Sequence, residues 1–265
     1  MKRIILATLL TSAFALPAVA QTAAPAAPEA APAAPASPFT GNVALATEYI
    51  YRGIAQTNRK PAVQGGFDYA HSSGAYAGVW ASNISWLSDS NSRVSAPIEM
   101  DVYGGFKNSF GGGDFNYDVG VLTYNYPGTY PSGFAKPDTT EVYGGLGWKW
   151  LSAKYSYVVS KNIFGFTGTS GQNTRGSDYL ELNATYDLGE GWGVLGHVGH
   201  QKIKNLSDAS YTDYKVGVTK DVGFGVVGLS YWDTDAKGDA GQIYRNTYNK
   251  DLGKGTALLS FSKTF

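Results

Sequence analysis

The side chains in this chain that could do chemistry are mostly carboxylates and amines set singly into extended, alternating stretches. They are Glu48, Gln64, Asp68, Glu99, Asp101, Asp118, Glu141, Lys154, Glu181, Asp213 and Lys215. Each has an apolar residue as sequence neighbour, so on a strand the charge and the greasy side chain fall on opposite faces. Glu99, Asp101, Asp118 and Glu141 come from successive strands and are expected to share one wall. Lys154 and Lys215 come later and are expected to face it. An acidic wall opposite basic groups sets up a transverse field that orients polar solutes and fixes ion preference. The same residues could instead pair across a filled interior and rigidify it, and the sequence leaves both readings open.

Other reactive residues lead less far. Arg52 stands where the first strand meets the first long connection and is expected at the outer rim. There it would gate the mouth, bind an anionic group, or pair with a nearby carboxylate, with Gly53 permitting the turn. Of the three histidines, His71 lies in a short turn. His197 and His200 have opposite parity and cannot share a face of an unbulged strand. No Gly-x-Ser-x-Gly elbow occurs. Asp233, Asp235 and Asp239 lack the glycine and terminal glutamate of a calcium loop. Gly111-Gly112-Gly113 is a turn with no helix after it to bind phosphate. There is no cysteine, hence no thiolate nucleophile or ligand. The sequence therefore offers no catalytic, metal or cofactor site.

The elements that must position these residues are strands. Twelve are expected: 42–51, 62–70, 75–84, 98–107, 114–126, 139–149, 151–160, 178–187, 192–202, 211–220, 224–233 and 255–265. In 98–107, Ile98, Met100, Val102 and Phe106 oppose Glu99, Asp101 and Lys107; strands 139–149, 178–187 and 211–220 repeat the pattern. The polar parity is rich in Gly, Ser, Asn and Tyr and sparse in charge, unlike the solvated face of a soluble sandwich. Short and long connections alternate strictly. An even-stranded, up-and-down antiparallel barrel with tight periplasmic turns and longer outside loops predicts that order. The last strand ends the chain on Phe265, an aromatic at the girdle position of a closing strand and the feature that the barrel-assembly machinery would engage.

The N-terminus carries a matching address. Lys2 and Arg3 precede an apolar run, and Ala18-Val19-Ala20 supplies small residues for cleavage, so 1–20 reads as a signal peptide. Residues 21–40 read as an Ala/Pro-rich periplasmic linker and 41–265 as the barrel. Loss of the leader leaves 19 basic against 21 acidic residues. No basic excess exists to neutralise phosphates, so nucleic acid is not an expected partner.

Several segments resemble a known family. They are Tyr49-Ile50-Tyr51-Arg52-Gly53-Ile54-Ala55-Gln56, Pro61-Ala62-Val63-Gln64-Gly65-Gly66, Gly78-Val79-Trp80-Ala81-Ser82-Asn83, Glu99-Met100-Asp101-Val102-Tyr103-Gly104-Gly105 and Tyr124-Asn125-Tyr126-Pro127-Gly128. From Gly41 to Phe265 the chain is similar to the TorF porin family, bacterial outer-membrane proteins of largely unsettled function. The resemblance implies a barrel and a transport role; it assigns no site residue. The expectation is an all-β transmembrane barrel in the outer membrane of a Gram-negative bacterium. It would sit among outer-membrane lipids and pass small hydrophilic solutes or ions without catalysis. The alternatives are a structural or adhesive barrel lacking an open pore and, less favoured, a lipid-modifying enzyme.

Overall fold

The computed structural model describes residues 37–265. The expected leader, and all but the last four positions of the expected linker, lie outside the described residues. The first wall strand begins three residues earlier than the expected 42–51, since β1 is Phe39–Ala46. A small hairpin follows, β2 (Ile50–Tyr51) and β3 (Ile54–Ala55). Then come β4 (Ala62–Ala70), β5 (Ala75–Asn83), the single-turn helix α1 (Trp86–Ser90), β6 (Ile98–Phe110), β7 (Phe115–Asn125) and β8 (Thr139–Trp148). The last six are β9 (Leu151–Val158), β10 (Asp178–Gly189), β11 (Trp192–Lys202), β12 (Tyr211–Asp221), β13 (Val226–Thr234) and β14 (Thr256–Thr264).

Twelve of these strands form one closed antiparallel barrel, each paired with its sequence neighbours; β1 pairs with β14 on one side and β4 on the other. Closure leaves no free sheet edge, so every backbone donor along the wall has a strand partner, as a membrane core demands. Phe265 adds a last exchange, donating to the carbonyl of Gly41 at 2.8 Å and accepting from its N–H at 3.3 Å. Its ring is exposed, with the Lys263 ammonium 5.0 Å from its centroid.

Alternation along the strands separates two surfaces. Met100 is 46% exposed and Val102 52%, whereas Glu99 between their neighbours is 2% and Asp101 0%. The exposed surface is apolar all round, including Val63, Phe67, Leu146, Leu182, Val216 and Leu259. One end carries rings at strand termini and turns: Phe110 stacks on Phe115, Phe115 on Trp148, and Trp150 meets Tyr186 edge-on. Strands β5 and β13 alternate less legibly in sequence because aromatic residues occupy their inward parity. Trp80 and Trp232 are each 6% exposed, while Val79 and Leu229 face out.

Candidate functional site

The first long connection is not an outer loop. β1 stops at Ala46, where Thr47 donates its N–H to Leu259, and the chain folds inward. Residues 48–58 become one of the most buried stretches of the protein: Tyr49 and Ile50 are 1% exposed. The β2–β3 hairpin turns on Arg52 (φ 46°) and Gly53 (φ 79°). Two consecutive left-handed residues make the turn whose twist suits a two-residue hairpin. The tip is wedged against the far wall. A Cβ on Gly53 would lie 2.3 Å from Thr234 Cγ2 and 2.6 Å from Asp213 Cβ, so glycine is required for both its dihedral angle and its size.

Arg52 is therefore not at the rim, as its sequence position implied, but inside. Its Nη2 donates to Glu141 Oε2 at 2.7 Å and its Nη1 to Glu141 Oε1 at 3.0 Å, a fork-on-fork pair. Nη1 also donates to Gln201 Oε1 at 2.7 Å. The guanidinium lies 4.2 Å from the Tyr179 ring centroid and 4.9 Å from that of Tyr51. One side chain thus ties the hairpin to β8, β10 and β11. Tyr51 meets Tyr124 through their hydroxyls at 2.6 Å, and Tyr124 donates to Glu141 at 3.3 Å. Tyr49 donates to Glu99 Oε1 at 2.8 Å.

Glu48 is likewise not on a strand. It sits at the root of the hairpin, 3.8 Å from Arg59, and burial pushes its carboxyl up against the pull of that guanidinium. Arg59 holds the descending limb by donating to the carbonyls of Asp251 and Lys254. Two apolar clusters cover this end. One joins Tyr49 and Trp80 to Leu87, Val94 and Ala96 of the second long loop and to Tyr126; the other joins Ile54 to Ile163, Ile203, Ala209 and Tyr244.

The remaining expected residues all stand on barrel strands. Gln64, Glu99, Asp101, Asp118, Glu141, Lys154 and Asp213 are buried, and Asp68, Glu181 and Lys215 are half-buried. Glu99, Asp101, Asp118 and Glu141 do come from three adjacent strands, β6 to β8. The expected opposition of charges needs correction, however. Lys154 is on β9, beside the acidic strands, with its ammonium 4.3 Å from the Tyr143 ring centroid. Only Lys215, on β12, lies half-way round the barrel from β6, and its ammonium is 4.7 Å from the Trp232 centroid.

Hydroxyls that the sequence reading passed over satisfy most of the acids. Tyr76 donates to Asp118 Oδ1 at 2.6 Å and is hydrogen-bonded to Tyr143; Tyr103 donates to Asp68 Oδ1 at 2.5 Å. Tyr179 donates to Asp213 Oδ2 at 2.9 Å. His197 contacts Asp213 Oδ1 at 3.0 Å and Asn183 Oδ1 at 2.7 Å, and its Nδ1 is 3.8 Å from Glu181. The signal is present for Tyr103, Tyr143 and Tyr179, which fall on the polar parity of their strands, whereas Tyr76 lies on β5, where the alternation does not assign a face. Among the described residues, no group of three His, Cys, Asp or Glu side chains is placed to hold a metal ion.

The fold is similar to those of solved porins. A KdgM porin aligns with a TM-score of 0.52 at 7% identity over 85% of this chain and 98% of its own. A KdgM porin in complex with disordered oligogalacturonate gives 0.51 at 8% identity, over 86% and 98%. A NanC porin in a rhombohedral crystal form gives 0.50 at 12% identity, over 84% and 97%. At such identities the likeness is one of fold. No curated protein sequence matches the chain. A family pattern matches residues 29–265, nearly the whole chain, and by that match the protein belongs to the family described as bacterial protein of unknown function (Gcw_chp).

Proposed function

We propose that this protein is an outer-membrane porin that passes small hydrophilic solutes or ions by passive diffusion, with the inserted hairpin as its constriction. One observation carries the reading: a closed twelve-stranded wall whose outer face is apolar and whose inner face holds Asp, Glu, Lys, Tyr and Gln. A barrel of eight strands is filled by side chains and one of sixteen holds an open channel, so twelve strands suit a narrow path. Gln64, Asp68, Glu99, Asp101, Asp118, Glu141, Lys154, Glu181, Asp213 and Lys215 would line it, with Arg52 at the constriction. In the orientation expected for such barrels, the short turns, the start of β1 and the end of β14 face the periplasm, and β14 with Phe265 is the segment read by the assembly machinery. The segments around Arg52 and Trp80 favour placing the chain with the TorF porins within its family. The KdgM and NanC porins, being alike in fold, support the transport reading by analogy.

A specific observation favours a second reading. The two apolar clusters and the Arg52 anchor fill the long-loop end, which fits a structural or adhesive barrel without a standing pore. Planar-bilayer recording separates the two. Wild type is expected to show discrete, ion-selective openings. A variant with residues 49–58 replaced by a short glycine turn is expected to show larger ones. Silence in both ends the channel reading; silence in wild type with conduction in the variant establishes the plugged barrel.

A further inference from the structure

Asp101 is the anomaly of the interior. It is 0% exposed, and no protein donor reaches either of its carboxylate oxygens. Its neighbours make this harder to explain as ordinary packing. In the register of the wall it stands between Trp80 of β5 and Tyr124 of β7, both buried. Its charged surroundings are Glu99, two residues along the same strand, and Glu141. Those two acids have found partners, Tyr49 for Glu99 and Arg52 for Glu141. The charged groups around Asp101 are therefore carboxylates, and its cross-strand neighbours are the aromatic residues Trp80 and Tyr124. A bare carboxylate in such a place is costly unless something positive joins it.

We propose that Asp101 is a binding site for a monovalent cation, with Glu99 beside it and Trp80 and Tyr124 as its cross-strand neighbours. The inference rests on the channel reading only for its purpose, which would be to make the path cation-preferring; the binding itself stands without conduction. Chemistry selects the class of ligand. A single carboxylate with one hydrogen-bonded acid beside it matches the charge of a small monovalent ion, Na⁺ or K⁺, whereas a divalent ion demands more anionic oxygens in a fixed cage. Because folding has already stripped the carboxylate of water, only the ion's own dehydration opposes their attraction.

The experiment uses the full chain refolded in detergent micelles. Thermal unfolding is followed in NaCl, in KCl and in N-methylglucamine chloride at equal ionic strength, for wild type and for Asp101→Asn, with Glu181→Gln as a control for general lumen charge. The expected result is an upward shift of the wild-type Tm in Na⁺ or K⁺ relative to N-methylglucamine, retained in Glu181→Gln and lost in Asp101→Asn. At equal ionic strength screening is common to all three salts, so only binding produces the difference. An ion-specific shift that survives in Asp101→Asn overturns the proposal, as does no such shift in wild type. Infrared difference spectra supply a second readout. A carboxylic-acid carbonyl band present in wild type and absent from Asp101→Asn assigns a proton where the cation was expected and overturns it too. Should Asp101→Asn fail to refold, Asp101→Ser takes its place in both the salt series and the infrared comparison. Absence of bilayer conductance would remove the porin assignment and leave this binding result untouched.

Discussion

Arg52 and Glu141, 89 residues apart in sequence, form a two-pronged ion pair in which neither side chain is more than 8% exposed. The pair decides the shape of the interior, because it joins the tip of an inserted hairpin to the wall. Its energetics are those of a buried pair. Desolvation cancels much of the attraction, so the pair adds less to stability than to position, and removing one partner strands the other. Arg52→Ala is expected to destabilise the hairpin by about 3–5 kcal/mol. Arg52→Met with Glu141→Gln is expected to recover most of that loss. Urea unfolding in micelles measures the first effect, and bilayer recording should show noisier, larger openings in Arg52→Ala than in the double variant.

Gly53 offers a way to displace the hairpin without touching a charge. A methyl group there meets Thr234 and Asp213 at well under contact distance. Gly53→Ala is expected to expel the tip and raise conductance. Gly112 is the matched control: its φ is 72°, yet a Cβ there meets nothing within 4 Å. Gly112→Ala carries only the left-handed backbone cost of about 1–2 kcal/mol and should leave conductance unchanged.

Lys154 and Lys215 sit against rings rather than in ion pairs. Their charge thus remains available to a passing ion. Lys154→Gln with Lys215→Gln is expected to shift the reversal potential in a salt gradient towards greater cation preference. An unmoved potential would take both residues out of the permeation path.

What was legible in the sequence follows from period and length. The alternation at Glu99 and Asp101 or at Asp213 and Lys215 specifies strand and face together, because a slip of one residue would turn the charges to the apolar side. Ten of the eleven expected polar positions stand on wall strands for that reason. Arg52 and Glu48 were misplaced because nothing in the local pattern distinguishes a strand that continues from one that ends and folds inward. The stretch 42–51 carries no glycine or proline to mark an end, yet the wall uses only the part up to Ala46. The Arg52-Gly53 turn was visible as a turn. That its tip would find Glu141, Gln201 and Asp213 is a matter of tertiary distance, which the spacing of residues 52, 141, 201 and 213 does not encode.

The hairpin root should respond to pH. Burial raises the Glu48 carboxyl above its ordinary value of 4.5, with Arg59 opposing. The fold therefore favours the neutral acid. The stabilisation is complete below the unfolded-state pKa and is lost as pH rises through the higher folded-state one. Relative to Glu48→Gln, wild type is expected to lose stability from acidic towards neutral pH. Parallel urea titrations of both proteins measure the difference; identical pH profiles would mean that Glu48 is well solvated.

The outer face makes the most demanding prediction, since it tests which parity meets hydrocarbon. Val216 lies at the centre of β12 and is 62% exposed, with Lys215 beside it on the inner parity. The two positions are adjacent in sequence and differ only in the face they occupy. If the exposed apolar surface lies in a bilayer, an arginine at 216 costs roughly 2–4 kcal/mol at the midplane. A lysine one residue away is tolerated because it points inward over Trp232. Val216→Arg should therefore refold poorly into lipid vesicles, while Lys215→Arg should refold normally. The reverse order would assign the two faces the other way and take the membrane barrel with it. Refolding yield, read from the difference in gel mobility between heated and unheated samples, distinguishes the outcomes.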